Sequence, residues 1–256
     1  MDLFFREYGS GSPVIMIHGL LGMSDNFIPA AKKIAENNKV ILPDLRNHGN
    51  SPHSEEFNLE VLTDDIIVLY HKLNLNSAVI IGHSLGGRIA ISAALKYPEL
   101  FSRLIVEDIA PRKYSGNKSI GNLIHVMNRM DLKSKSSIGE IDDTLKHFIQ
   151  DVRTRQLILK NITKNKDNKY IWKLDLDVIT KNLESLMSSV VEEVTFSKPT
   201  LFLKGGLSHL IRQDDYKIIY KYFPSAEIEV IPNAGHWVHA DEPQLFIDRV
   251  MAFLNA

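Results

Sequence analysis

The residues with the clearest chemical potential form a Gly-His-Ser-Leu-Gly motif centred on Ser84. The apolar residues 78–82 before it predict a buried strand, and residues 85–97 after it predict a helix that Pro98 ends. Such a sharp turn strains the serine backbone, and glycines two residues before and after the serine avoid clashes. The motif therefore predicts a nucleophile elbow that exposes the Ser84 hydroxyl. The alternative is a glycine-rich turn with a purely structural role. The predicted strand before the motif and the predicted helix after it disfavour this alternative, because a nucleophile elbow requires that setting.

A serine nucleophile needs a base, and a third group must hold that base in orientation. Of the ten histidines in the chain, His236 has the best position. It lies in a Pro-Asn-Ala-Gly-His-Trp loop between the last predicted strand and the last predicted helix. A single loop histidine is more often a solvated surface residue. The order of serine before histidine and the position at the same sheet edge favour catalysis, so we predict that His236 is the base.

Other histidines lie close to these motifs. His83 adjoins the nucleophile on the opposite side of the turn, where we expect it to brace the elbow by hydrogen bonding. His18 lies in a loop that we interpret as structural, as we do for the loop 44–51. His236 and His239 have a spacing that a metal ion could use, but no third ligand is visible, and we expect no metal site.

A tetrahedral intermediate needs hydrogen-bond donors for its negatively charged oxygen. Leu85 follows the nucleophile directly and can supply one backbone N–H, and the loop after the first apolar strand can supply a second. We therefore predict an oxyanion hole formed by the N–H groups of Leu20 and Leu85.

Strands and helices that would position these residues alternate along the chain. Predicted strands cover residues 14–17, 40–42, 78–82, 104–106, 200–203 and 227–231, and predicted helices cover residues 26–36, 59–73, 85–97, 214–223 and 244–254. This alternation predicts an α/β fold, with a mostly parallel sheet flanked by helices on both faces.

The pattern changes in residues 112–196, where short amphipathic segments alternate with polar linkers. Helices are predicted at 120–130 and 138–149, with an extended piece at 170–174. We predict a mainly helical cap inserted into an α/β core of residues 1–111 and 197–256. Because α/β ligand sites lie at the carboxyl edge of the sheet, this cap is expected to cover the site as a lid. A helical domain that only decorates the surface is the alternative.

Composition excludes several classes of function. The 256 residues carry a formal net charge of −1, which gives no electrostatic reason to expect nucleic acid or an acidic membrane surface as a partner. The chain has no cysteine, so disulfides, thiolate metal sites and thiol catalysis are excluded. It shows no signal-peptide pattern and no apolar run of membrane-spanning length. We expect a cytoplasmic protein, either a monomer or a homodimer.

The motifs together resemble the α/β-hydrolase fold family. They occur in the family's order and cover nearly the whole chain outside residues 112–196. The motifs are His18-Gly19, Asp44-Leu45-Arg46-Asn47-His48-Gly49-Asn50-Ser51, Gly82-His83-Ser84-Leu85-Gly86, Pro199-Thr200-Leu201 and Gly235-His236. The N-terminal part is short for this family, so we expect its first strand to be missing.

The third member of the catalytic triad departs from the usual family pattern. Most members carry an aspartate after the Pro-Thr-Leu strand, where this chain has Ser208, whose hydroxyl cannot carry a stabilising charge. Asp214 and Asp215 lie six residues further on, where acidic residues favour a helix start. The Asp-Ile-Ala-Pro segment resembles instead the early acid of YbfF-like esterases. That resemblance implies that Asp108 is the acid, with Glu107 a neighbour and Ser208 hydrogen-bonded nearby.

The resulting prediction is a serine esterase that acts through an acyl-enzyme. Ser84 would attack a small ester or thioester, His236 would take its proton, and Asp108 would orient the histidine. No metal or organic cofactor is needed. The residues expected to line the substrate pocket are Leu21, Ser208 and Trp237. Trp172, Met127 and Met130 are further candidates for an acyl pocket, although core packing explains the methionines equally well.

Three alternative functions are also compatible with the sequence. An acyl-CoA thioesterase would use the same triad and would need a basic rim for the phosphates. A carbon–carbon bond hydrolase or a perhydrolase is chemically possible on the same fold. A ligand-binding sensor would keep the triad but turn over slowly.

Overall fold

The computed structural model describes residues 1–114, 118–190 and 194–256. These residues form nine strands: β1 Phe5–Tyr8, β2 Ser12–Ile17, β3 Asn38–Pro43, β4 Ala78–His83, β5 Phe101–Glu107, β6 Ile162–Lys164, β7 Tyr170–Trp172, β8 Thr200–Gly205 and β9 Ala226–Ile231. They also form ten α-helices: α1 Ile28–Ile34, α2 Leu59–Lys72, α3 Leu85–Lys96, α4 Lys118–Asn128, α5 Ile138–Lys146, α6 Val152–Lys160, α7 Leu176–Leu186, α8 Tyr216–Tyr222, α9 Val238–Asp241 and α10 Pro243–Asn255. None of these helices is long and apolar enough to cross a membrane.

Seven of the strands form one sheet in the order β1-β3-β2-β4-β5-β8-β9. β1 is antiparallel to β3, and all other neighbours are parallel. The prediction of a mostly parallel α/β sheet is therefore confirmed. The expectation of a missing first strand needs correction, because an antiparallel strand of four residues precedes β2. It lies at the sheet edge and stays partly exposed, which explains why its mixed polar sequence gives no strong strand signal.

Side chains of the sheet alternate between two apolar layers, as strand geometry requires. In β2, Ile15 and Ile17 pack into a core shared with α2 and α3, whereas Val14 and Met16 pack into a second core shared with α1 and α10. The first core continues into the segment of residues 112–196, called the insertion below. Burial on both faces explains the nearly continuous apolar runs of the central strands.

The predicted helix 26–36 differs from the observed structure at its start. The chain first forms a 3₁₀ turn, Ser24–Phe27, and α1 begins only at Ile28. Pro29 accounts for the difference, because proline fits the first turn of an α-helix but cannot donate a hydrogen bond further inside it.

The insertion contains α4 to α7 and a hairpin of β6 and β7, while residues 115–117 and 191–193 of this segment lie outside the described residues. α5 and β7 fall within the predicted helix 138–149 and the predicted extended piece, and α4 overlaps the predicted helix 120–130 but begins two residues earlier. α6 and α7 are not among the predicted helices. Each begins after an aspartate, Asp151 or Asp175, whose carboxylate accepts an N–H of the first turn. The two aspartates are the sequence features from which the starts of α6 and α7 could have been predicted.

One side chain of α3 holds both ends of the insertion. Arg88 is fully buried, and its guanidinium donates to the carbonyl oxygen of Arg112 at 3.0 Å, where the insertion begins. It also donates to the carbonyl oxygens of Leu186, at 3.0 Å, and of Ser188, near the other end. Burial lowers the pKa of Arg88 to about 10, so the group stays charged at neutral pH. Carbonyl dipoles replace the water that the buried charge has lost.

The turn from β4 to α3 has no room for side chains at two positions. A Cβ on Gly82 would lie 2.1 Å from the carbonyl oxygen of Gly86. A Cβ on Gly86 would lie 2.2 Å from the carbonyl oxygen of Ile17 in β2. The two glycines therefore let α3 start directly against the ends of β2 and β4, as a nucleophile elbow requires.

We expect Gly86→Ala to destabilise the protein by about 3 kcal/mol or more, because the clash involves backbone that cannot rotate away. Urea denaturation measures the effect. Gly121→Ala in α4 is the control, since a Cβ there has no atom within 4 Å and alanine favours a helix by about 0.5–1 kcal/mol. Equal stabilities of the two variants would contradict this account of the turn.

Candidate active site

Ser84 stands between β4 and α3 with a backbone conformation that L-residues rarely adopt. Its φ is 53° and its ψ is −114°. Two backbone hydrogen bonds hold this conformation. The Ser84 N–H donates to the Glu107 carbonyl oxygen at 3.1 Å, and the Ser84 carbonyl oxygen accepts the Arg88 N–H at 3.0 Å. The half-buried side chain lines a cavity. This strain, held by the surrounding fold, is typical of functional residues.

Asp108 lies directly after β5 and is fully buried. His236 Nδ1 donates to its Oδ2 at 2.9 Å, and the Gly205 N–H donates to its Oδ1 at 3.0 Å. The Ser208 hydroxyl also donates to Oδ2. The predicted acid, the predicted base and the serine at the late position therefore meet at one carboxylate.

The bond to Asp108 determines which nitrogen of neutral His236 carries the proton. A carboxylate only accepts, so Nδ1 is protonated and Nε2 keeps its lone pair. Nε2 has no hydrogen-bond partner within the described ranges, and His236 lines the same cavity as Ser84. The structure brings the two residues to one cavity without a hydrogen bond between them.

The later acidic residues do not reach His236. Asp215 pairs with the Arg112 guanidinium at 2.8 Å and accepts the backbone N–H of Arg212 at 2.8 Å. Asp214 is exposed. Of the carboxylates considered in the sequence, Asp108 is the one that contacts His236 in the described part of the chain.

His83 packs against the ring of His236, and His239 packs against the ring of His83. His83 Nε2 donates to the His236 carbonyl oxygen at 2.9 Å, so this side chain links the elbow to the histidine loop. His239 Nδ1 lies 2.7 and 2.9 Å from the two carboxylate oxygens of buried Glu107, and the His239 N–H donates to the same carboxylate at 2.9 Å. Burial, with His236 and His239 nearby, holds the pKa of His83 well below its usual value.

The Glu107–His239 pair is a part of the site that sequence reasoning missed. The available signals were the consecutive acids at the end of β5 and the His-Trp-Val-His spacing. That spacing does not correspond to a metal site, because His236 and His239 bond different carboxylates. No group of three His, Asp or Glu side chains in the described residues is arranged to hold a metal ion.

The loop after β2 carries a backbone N–H that donates to no described residue. The Gly19 carbonyl oxygen accepts the Gly22 N–H at 2.9 Å and lies 2.8 Å from His18 Nδ1. The Leu20 N–H belongs to the same planar trans peptide and points away from these contacts. Within the described residues, neither this N–H nor that of Leu85 donates a hydrogen bond, and both residues are buried.

Two neutral histidines fix this loop. His18 Nε2 accepts the Leu45 N–H at 3.0 Å, so its Nδ1 carries the proton that reaches the loop carbonyl. His48 Nε2 accepts the Leu21 N–H at 3.3 Å, and its Nδ1 donates to the Arg46 carbonyl oxygen at 2.9 Å. Burial lowers the pKa of both histidines, that of His48 to about 3.

A cavity of about 490 Å³ lies beside Ser84. Its lining includes the predicted residues Leu20, Leu21, Ser208 and Trp237, together with His83, Ile109, Arg112, Tyr114, Ile120, Leu123, Leu157, Met187, Leu207, His209, Leu210, Arg212 and His236. Trp172, Met127 and Met130 do not line it, which corrects their candidacy. They pack against the core instead. Leu157 on α6 and Met187 at the end of α7 provide apolar surface that was not predicted from the sequence, because neither helix was recognised.

Comparison with known proteins is consistent with this geometry. A family model described as the alpha/beta hydrolase fold matches residues 12–123. The sn-1-specific diacylglycerol lipase ABHD11 of Danio rerio is 36% identical over 98% of this chain and 81% of its own length. The chain belongs to the α/β-hydrolase family. A putative esterase/lipase of Haemophilus influenzae is 34% identical over 94% of this chain and 83% of its own.

The subfamily resemblance is also confirmed. Esterase YbfF of Escherichia coli is 25% identical over 96% of this chain and 94% of its own length. Among solved structures, a marine microorganism esterase matches with a TM-score of 0.96 and 39% identity, covering 98% of this chain and 99% of its own. The predicted α/β-hydrolase fold is therefore confirmed.

The neutral state of His48 makes stability depend on pH. Its pKa is about 3 in the folded protein and about 6.5 in the unfolded chain, so the unfolded state binds more protons between these values. The free energy of unfolding therefore decreases as pH falls from about 6.5 towards 3. We expect His48 to account for a loss of about 2 kcal/mol between pH 7 and pH 5.

Urea denaturation of the wild type and His48→Gln at pH 7 and pH 5 measures this contribution. Glutamine does not titrate, so the variant should lose about 2 kcal/mol less than the wild type over the same interval. The same pH dependence in both proteins would contradict the neutral His48 assignment.

Proposed function

We propose that the protein is a carboxylesterase that cleaves small acyl esters through an acyl-enzyme intermediate. Relatives named as esterases and lipases support the class of carboxylic ester hydrolase. The observation that carries the finer proposal is the 2.9 Å bond between His236 Nδ1 and Asp108 Oδ2, beside a cavity that Ser84 also lines.

In this mechanism, Ser84 Oγ attacks the acyl carbon while its proton passes to His236 Nε2. Asp108 remains ionised and stabilises the imidazolium through Nδ1–H. The alcohol leaves with the proton from Nε2, and the acyl group stays on Ser84. A water molecule then gives its proton to the same Nε2 and attacks the acyl-enzyme. The acid is released as Ser84 regains its proton.

Ser208 has a supporting role in this proposal. Its hydroxyl and the Gly205 N–H bond the carboxylate of Asp108, replacing water that the buried group has lost. Both bonds also restrain the rotation of the carboxylate, so that Oδ2 stays directed at His236. A serine at the late position therefore complements an acid that comes from β5.

The oxyanion would be bound by the backbone N–H groups of Leu20 and Leu85. Two observations support this assignment: neither N–H has a partner among the described residues, and Leu85 opens α3 directly after the nucleophile. The positive end of the helix dipole adds to the stabilisation of a negative oxygen. Preorganised donors of this kind usually contribute a large part of the rate acceleration.

The cavity supports an acyl substrate. Much of its wall is apolar, and the insertion contributes Ile120, Leu123, Leu157 and Met187 to it. We propose that the insertion acts as a cap that roofs the site and excludes bulky polymers. Because the Danio rerio relative is named a diacylglycerol lipase, a diacylglycerol belongs in the substrate panel beside p-nitrophenyl esters of increasing chain length.

We expect Asp108→Asn to lower kcat for a p-nitrophenyl ester by about 10⁴-fold, because the uncharged amide leaves His236 in the wrong tautomer. Ser208→Ala removes one hydrogen bond to the acid and should lower kcat by about two- to tenfold. Asp214→Asn is the matched control, with a change below about twofold. Loss of turnover in Asp214→Asn with activity retained in Asp108→Asn would refute the assignment of the acid.

Labelling with a fluorophosphonate, which reacts with an activated serine, tests whether Ser84 is the nucleophile. The wild type should be labelled at Ser84, and Ser84→Ala should be neither labelled nor active. Failure of the folded wild type to label would overturn the hydrolase proposal. Labelling without turnover on any member of the panel would favour a ligand-binding sensor.

An acyl-CoA thioesterase is the second candidate, because basic side chains reach the cavity. Arg212 and His209 line it and are exposed, and the Arg212 guanidinium has no ion-pair partner in the described part of the chain. An exposed guanidinium such as that of Arg212 can bind the phosphates of coenzyme A.

If acyl-CoA is a substrate, Arg212→Ala should raise its KM by about fivefold or more and leave the KM of an uncharged p-nitrophenyl ester unchanged. The reason is the loss of a charge-assisted contact with phosphate. Lys217→Ala, an exposed cation of α8 outside the cavity, is the control. Steady-state kinetics on both substrates measure the difference. An equal KM for acyl-CoA in both variants would argue against phosphate binding at Arg212.

A further inference from the structure

The backbone of Leu21, in the loop after β2, is hydrogen-bonded both to the loop of residues 44–51 and to the insertion. Its side chain is fully buried, and its φ of 63° lies in the left-handed region. Its N–H donates to His48 Nε2 at 3.3 Å, and its carbonyl oxygen accepts the side-chain amide of Asn161 at 2.7 Å. Bulky L-residues adopt this backbone conformation only where the surroundings impose it. Both peptide groups of Leu21 are therefore held by side chains distant in sequence.

Asn161 belongs to the insertion, at the end of α6. It is fully buried, and its amide group also donates to the Leu157 carbonyl oxygen at 3.0 Å. Its own carbonyl oxygen accepts the Lys173 N–H at 2.8 Å. Its Oδ1 is buried without a partner among the described residues. Burial of Oδ1 without a hydrogen bond costs free energy, and the two hydrogen bonds that the amide nitrogen donates offset this cost.

We propose that Asn161 and His48 are positioning residues for the oxyanion hole, and that the insertion thereby completes the site. The inference rests on the proposed function, since it concerns the N–H of Leu20. This N–H lies one peptide before Leu21, in a chain of three consecutive planar peptides whose orientations are coupled through two φ/ψ pairs.

Each of these peptides has a separate anchor. His18 holds the Gly19–Leu20 peptide through its carbonyl, His48 holds the Leu20–Leu21 peptide, and Asn161 holds the Leu21–Gly22 peptide. The Gly22 N–H of the third peptide also donates to the Gly19 carbonyl oxygen of the first, so a restraint on the third peptide is passed to the peptide that carries the Leu20 N–H. Without Asn161, the left-handed conformation of Leu21 loses a restraint and the loop can relax. The Leu20 N–H then no longer stays preorganised for the negative oxygen. The effect falls on the transition state, where that oxygen develops its charge.

The decisive variant is Asn161→Asp, which keeps the shape but replaces the amide donor with a carboxylate facing the Leu21 carbonyl. Removing a donor from an oxyanion hole lowers kcat by about 10²–10³-fold, and displacing one should cost about tenfold or more. We expect this loss in kcat for a p-nitrophenyl ester, with KM changed by less than about twofold. The inhibition constant of a trifluoromethyl ketone, whose serine adduct carries the same oxyanion, should rise in parallel.

Asn182→Asp is the matched control. The Asn182 amide donates to the Val178 carbonyl oxygen at 2.9 Å within α7 of the same insertion, without contact to Leu21. Its kcat should stay within about twofold of the wild type. All rates are divided by the number of sites that a fluorophosphonate titrates, so that unfolded protein does not count as slow enzyme.

A second pair of variants keeps the test decisive if Asn161→Asp does not fold. His48→Gln retains an acceptor near the position of Nε2, whereas His48→Leu has none. We expect kcat per titrated site to be about tenfold higher in the glutamine variant. Equal rates in this pair, or an unchanged kcat and ketone affinity in Asn161→Asp, would overturn the inference. A wild type that the fluorophosphonate does not label would instead overturn the proposed function.

Discussion

The buried carboxylate of Asp108 is the contact on which the arrangement of the site depends. It directly follows β5 and receives hydrogen bonds from the last residue of β8, from the loop after β8 and from the loop after β9. These three strands are neighbours in the sheet, so their carboxyl ends already lie close together. The side chain converts that proximity into a defined geometry, because buried oxygen atoms must satisfy their acceptor sites from the groups around them. The histidine loop is thus oriented from within the core.

Buried histidines complete this framework in two different ways. His18, His48 and His83 have pKa values lowered by burial and bond backbone groups, so they act as neutral connectors between loops. His236 and His239 each face a buried carboxylate. His18 and His48 fix the loop around Leu20, whereas His83 joins the two carboxylate-bound histidines in fixing the loop around His236. A neutral ring suits the first task because it can donate at one nitrogen and accept at the other.

Much of this arrangement follows from the sequence, and the reasons for the exceptions are physical. The central strands and α3 carry strong apolar patterns and glycines with a steric purpose, so the sheet and the position of Ser84 are predictable. The interpretation of the loop 44–51 as structural misses the contact of His48 with Leu21, since hydrogen bonds between distant loops leave no periodic signal. Asn161 is hidden for the same reason. The helix α6 that leads to it has a polar face and a charged start, which hides its apolar side.

The anchoring of the insertion by Arg88 has a consequence for how this protein can be altered. Residues near both ends of an 85-residue segment return to one guanidinium, four residues after Ser84, whose hydrogen bonds within the described residues all go to main-chain carbonyl oxygens. The same group lies 5.8 Å from the centroid of the Tyr114 ring. Because carbonyl groups are common to every sequence, this attachment does not specify which side chains the segment carries. The two attachment points of the segment are therefore fixed by main-chain geometry, and the sequence between them can vary without loss of these hydrogen bonds. Segments of different sequence can be attached to the same helix α3, provided that their stems present carbonyl oxygens at the same spacing.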